Sequence, residues 1–96
     1  MGIRRAVLDV LIPIKGLGIE ELGTRLESVH GVDSVNITVK EFDVSTQTLL
    51  VVVEGEDIDM SELRNVFEEF GAAIHGIDQI VAGKRIAEIP DYFYEL

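Results

Sequence analysis

SVNITVKEFD (Ser34–Asp43) followed by TLLVVVEG (Thr48–Gly55) is the stretch whose reading decides the fold. In its first half Val35, Ile37 and Val39 alternate with Asn36, Thr38 and Lys40, the pattern of a half-buried strand with one polar face. The second half is an almost unbroken apolar run, as expected of a central strand covered on its faces. Val44–Gln47 is a polar turn between them, so the two runs read as an antiparallel hairpin. A central strand needs a further strand beside it, and an apolar face needs helices to cover it.

Both requirements are met on either side. Upstream, Ile3–Ile12 is rich in Val, Leu and Ile and ends at Pro13, which reads as a strand. After Gly16 and Gly18, the residues Ile19, Leu22, Leu26 and Val29 recur at three- and four-residue steps. That is an amphipathic helix, stopped by His30-Gly31. Downstream, Asp59 and Glu62 form a capping-box-like pair and Ile58 with Leu63 a hydrophobic staple, opening a helix that runs to about Phe70. A last strand is expected between Ile77 and Ile86, where Gly76 and Gly83 blur its limits.

The order is β-α-β-β-α-β, an α+β split β-α-β or ferredoxin-like sandwich in one domain over residues 1–96. Its antiparallel sheet is expected in the order 4-1-3-2, with both helices on one face and an aromatic tail from about residue 90. HGVDSV (His30–Val35) and HGIDQI (His75–Ile80), offset by 45 residues, also suggest two equivalent halves.

Strand parity assigns Leu8, Val10, Val35, Ile37, Val39, Leu49, Val51 and Val53 to the helix side. The opposite face then carries Val7, Leu50 and Val52 on the central strands, a candidate partner surface. Tyr92, Phe93 and Tyr94 in the tail are candidate interface residues, or fold back on their own subunit. Arg4 and Arg5 begin the first strand while Lys84 and Arg85 end the last. Two functional readings of this basic corner are an anion pocket and a knob meeting an acidic flank of an adjacent subunit. Ordinary surface ion pairing, with Glu54 as partner of Arg5, is the structural alternative.

The chain has 18 acidic and 8 basic residues, a formal net charge of −10, which opposes binding to nucleic acid phosphates and anionic membranes. With 47% hydrophobic residues and no apolar run near bilayer length, it reads as a soluble cytoplasmic domain. The absence of cysteine removes disulfides, thiolate metal sites and thiol nucleophiles. No nucleophile elbow and no phosphate-cradling glycine loop is present, so the chain leans away from being an enzyme.

The metal candidates are His30 with Asp33 and His75 with Asp78, each segment supplying two ligands, and Asp9 with Glu54 at a junction between subunits. A helix stop followed by a turn accounts for both His-Gly segments without metal. GEDIDMSEL (Gly55–Leu63) has the acidic alternation of a calcium loop, but Glu62 stands where that loop requires glycine. No cofactor is called for; calcium held weakly by acidic residues is the one cation this composition suggests.

MGIRRAVLDVL at the start, GVDSVNITVKEFD in the middle and IHGIDQIVAGKRI near the end together resemble one archaeal family, domain of unknown function 211. The resemblance covers nearly the whole chain. It implies a ferredoxin-like domain in small stand-alone proteins that assemble as homo-oligomers, in rings, and it carries over no reaction and no catalytic residue. The expectation is therefore a non-enzymatic homo-oligomeric binding or regulatory module, its main partner itself and a small-molecule ligand a further candidate. The rival is a small enzyme or divalent-metal protein with a site between subunits.

Overall fold

The computed structural model describes residues 2–14 and 18–90. The elements are β1 (Ile3–Pro13), α1 (Ile19–Glu27), β2 (Val32–Phe42), β3 (Thr46–Gly55), α2 (Met60–Glu69) and β4 (Ala73–Ala82). All pairings are antiparallel and the sheet runs β2-β3-β1-β4, which is 4-1-3-2 counted from the β4 edge. No helix among the described residues is long and apolar enough to cross a membrane.

Parity along the central strands works as expected. Ala6, Leu8, Val10 and Ile12 of β1 and Leu49, Val51 and Val53 of β3 form one buried cluster with Leu22, Leu26, Leu63, Val66 and Phe67 of the helices. The helices therefore lie on one face, and their apolar stripes supply the other half of the core.

Asp59 caps α2: its carboxylate accepts a hydrogen bond from the Glu62 N–H at 3.0 Å. The returning arm of a capping box is diverted. The Glu62 carboxylate instead accepts from the His30 N–H at 3.1 Å, and the Asp59 N–H donates to the His30 carbonyl at 3.0 Å. The α1–β2 connection is thereby tied to the start of α2.

The hairpin turn is Asp43–Thr46, with the Asp43 N–H donating to the Thr46 carbonyl at 2.9 Å. The Asp43 carboxylate accepts from the Ser45 N–H (3.0 Å), the Thr46 N–H (3.0 Å) and the Thr46 hydroxyl (3.1 Å). These bonds, the one from Ser45 foremost, hold its carboxyl below the ordinary aspartate range. A depressed folded-state value means the carboxylate stabilises the turn above the unfolded pKa, and the contribution fades as pH falls through the lowered folded value. Protection of the Ser45 and Thr46 amides, taken relative to the intrinsic exchange rate at each pH, is expected to fall on acidification below the ordinary aspartate range. Asp43→Ala should abolish that change in protection, and native protection that is constant across this range would contradict the account.

β4 departs from expectation. It begins at Ala73 rather than Ile77 and takes in Gly76. Register shifts in its pairing with β1 fall between Val7 and Leu8 and between Asp9 and Val10. Ile74, Ile77 and Ile80 consequently stand opposite Val10, Leu8 and Ala6, all on the helix side. Their three-residue spacing breaks the two-residue alternation of a strand; each bulge absorbs one extra residue and restores the face.

The repeat reading also changes. α2 begins at 60 against 19 for α1 and β4 at 73 against 32 for β2, a shift of 41 in both cases rather than 45. The two His-Gly segments are therefore not structural equivalents. His30 precedes β2 at a helix stop, whereas His75 and Asp78 lie inside β4, so the helix-stop explanation holds for the first segment only.

Candidate functional site

On the face away from the helices, a shallow depression of ≈ 530 Å³ has an apolar floor that includes Val7 and Val52, with Arg5, Asn36, Glu54 and Gln79 among its polar lining. Arg5 organises it. Its Nε donates to Glu54 Oε2 at 2.7 Å and its Nη1 to Gln79 Oε1 at 3.3 Å, while Glu88 Oε1 stands 3.7 Å from Nη1. The pairing follows from register, since Arg5 lies opposite Glu54 across β1–β3. Val7, Leu50 and Val52 are half-buried here, not fully exposed.

This face also has a partial cover of its own. Val81 stands opposite Arg5 and is only 4% exposed, yet it lies outside the helix-side cluster. With Glu88 reaching Arg5 and Ile86 and Ile89 half-buried, the segment after Gly83 passes over this side of the sheet. Tyr92, Phe93 and Tyr94 lie outside the described residues.

The four cations of the basic corner do not converge. Adjacent residues of a strand point to opposite faces, so Arg4 leaves Arg5 and pairs with Glu56 at 3.6 Å; its Nε is buried with no protein partner. Gly83 N–H donates to the Gly2 carbonyl at 2.9 Å, which brings the Lys84–Arg85 turn to the start of β1, where both side chains are exposed.

The metal candidates are likewise dispersed. Asp9 meets Lys40 at 3.8 Å, Glu54 is engaged by Arg5, and the pairs His30/Asp33 and His75/Asp78 lie on the two opposite edge strands or beside them. Among the described residues no three His, Cys, Asp or Glu side chains gather into a group that could hold a metal ion.

Sequence parity missed the surfaces that are most exposed. α1 has 9 residues and spans about 13 Å, whereas the 11 residues of β2 extend about 36 Å. The helix therefore covers the beginning of β2 and leaves its far end bare. Val39 lies on the helix side, as parity assigns it, but is exposed there with Ile14, Phe42 (73%) and Val44 (99%). At the opposite edge β4 is incompletely covered, and Ile77 and Ile80 are each 43% exposed on the helix side. Comparing predicted helix and strand lengths is the signal that would have exposed the first of these patches.

The architecture is thus an α+β domain of β-α-β-β-α-β order, consistent with the ferredoxin-like class, bearing apolar side chains at both edges of its helix-side face. The chain belongs to the DUF211 family, described as "Uncharacterized ArCR", whose pattern it matches over residues 4–95. It is similar to the uncharacterized protein MJ0319 of Methanocaldococcus jannaschii, with 44% identity over 87 residues, covering 91% of this chain and 89% of that protein.

Proposed function

We propose that this chain is a non-enzymatic module that works by binding copies of itself head to tail. The observation that carries the reading is the pair of exposed apolar patches on one face: Phe42 and Val44 at the hairpin end, and Ile77 and Ile80 along β4, at the opposite edge. An acidic pair, Glu41 and Asp43, flanks Phe42, and a basic pair, Lys84 and Arg85, lies just past Gly83 beyond the end of β4. Unlike patches at opposite edges join as a heterologous contact, which closes into a ring when the rotation between copies permits. A chain with net charge −10 repels itself at long range, so attraction has to come from short-range apolar burial and this local pairing.

Light scattering at micromolar concentration is expected to give a mass of several chains. Burial of a Phe or Val side chain contributes about 1.5–3 kcal/mol, so Phe42→Ser with Val44→Ser should weaken association by about a hundredfold or more. Lys84→Glu with Arg85→Glu should weaken it most at low salt. A native mass equal to one chain would overturn the proposal.

A further inference from the structure

A separate surface lies along the outer edge of β2, away from the hairpin tip. Among the described residues β2 pairs with β3 on one side only, and its outer row of N–H and C=O groups has no strand beside it there. Proteins usually blunt such edges with charges, proline or bulges. β4, the other edge, carries register shifts along its length. In β2 the shifts fall at the two ends, between Val32 and Ser34 and between Val39 and Glu41. The run Ser34–Val39, SVNITV, keeps regular register between them and holds neither a charge nor a proline.

Beside this run a groove of ≈ 310 Å³ separates β2 from α1, with Ile19, Gly23, Val35 and Ile37 among its lining and Glu20 and Glu27 on its rim. Glycine inside a helix costs about 1 kcal/mol relative to alanine. A Cβ at position 23 would stand in ordinary contact with the Ile37 Cδ1, at 3.7 Å, so a longer side chain there would extend into the groove. A strand added to β2 would direct alternate side chains toward the groove and bring their neighbours on that face beside the two glutamates. Two-fold pairing of β2 with its own copy would bring these glutamates together between two strongly acidic chains.

We propose that the β2 edge receives an extended peptide segment of a partner protein, with aliphatic residues seated in the α1–β2 groove and lysine or arginine opposite Glu20 and Glu27. Main-chain hydrogen bonds to Ser34–Val39 supply the register, and the acidic rim selects a basic segment. The site is independent of the self-association above.

The test uses the full chain with the fluorescein-labelled peptide TKTVTVTKT, whose lysines and valines share one face of a strand, and its glutamate counterpart TETVTVTET. Fluorescence anisotropy at low salt is expected to show the lysine peptide binding at least about tenfold tighter. Hydrogen exchange should slow at Ser34–Val39. Gly23→Leu, which fills the groove, should weaken binding about tenfold or more, and Glu20→Lys with Glu27→Lys should reverse the preference between the peptides. Circular dichroism confirms that the variants are folded; the exposed glutamate positions keep the test open should Gly23→Leu fail to fold. Repeating the titration on the Phe42→Ser/Val44→Ser variant separates this site from self-association, and binding there should be unchanged. No binding up to about 1 mM peptide, unchanged binding to the variants, or protection on another element would overturn the proposal.

Discussion

Replacing Phe67 by alanine is expected to cost about 3–5 kcal/mol, enough to leave this domain largely unfolded near its melting temperature. Phe67 sits on the inner face of α2, is 1% exposed, and is the largest fully buried side chain among the described residues. It belongs to the buried cluster that also holds Leu8, Val51 and Leu63, so truncation leaves a cavity in the core shared by α2 and the central strands. Small domains have only about 5–15 kcal/mol of stability in all. Denaturant unfolding at fixed protein concentration measures the loss, because association would otherwise shift the midpoint. Asn65→Ala, at an exposed position of the same helix and away from the patches proposed for self-association, is the control, since such surface substitutions change stability by less than about 0.5 kcal/mol. A loss below about 1 kcal/mol for Phe67→Ala would mean that the α2–sheet contact is not the centre of the core.

Gly55→Ala is expected to be nearly as damaging, at about 3 kcal/mol, although it adds only one methyl group. Gly55 closes β3, and a Cβ there would run into the carbonyl of Gly31 and stand 3.0 Å from the Asp33 nitrogen. Gly31 is itself held at φ +90, a left-handed conformation that favours glycine. Its carbonyl accepts from the Glu56 N–H at 2.8 Å, next to the bonds that join His30 to Asp59 and Glu62. A methyl group at position 55 pushes the α1–β2 connection away and strains all of these at once. Hydrogen exchange at Glu56 and Asp59 should accelerate together with the fall in stability. Gly76→Ala is the control, because a Cβ at that position meets nothing within 4 Å. Equal effects from the two substitutions would contradict the close-approach account.

The same positions show how far the residue pattern could be read. His30-Gly31 was legible as a helix stop, yet its bonding to α2 depends on a residue 32 positions away and has no local signature. Arg5 with Glu54 was legible because strand parity and hairpin order place them on one face of neighbouring strands. The same parity places Arg4 and Arg5 on opposite faces, but the partner of Arg4, Glu56, lies beyond the end of β3, where strand register no longer predicts a neighbour. β4 was the least legible element, since its bulges turn a two-residue alternation into a three-residue one.

By itself the residue pattern determined the order of elements, the sheet face that each central-strand residue takes, and the helix stripes that complete the core. These follow from local periodicity, since burial repeats every second residue in a strand and every three or four in a helix. Tertiary structure alone decided which apolar residues remain in water. Val39, Phe42, Ile77 and Ile80 all lie on the helix side of the sheet. They are exposed because helices of 9 and 10 residues leave the far end of β2 and part of β4 uncovered. Coverage depends on how far one element extends over another, and that distance is written in no single segment of the chain.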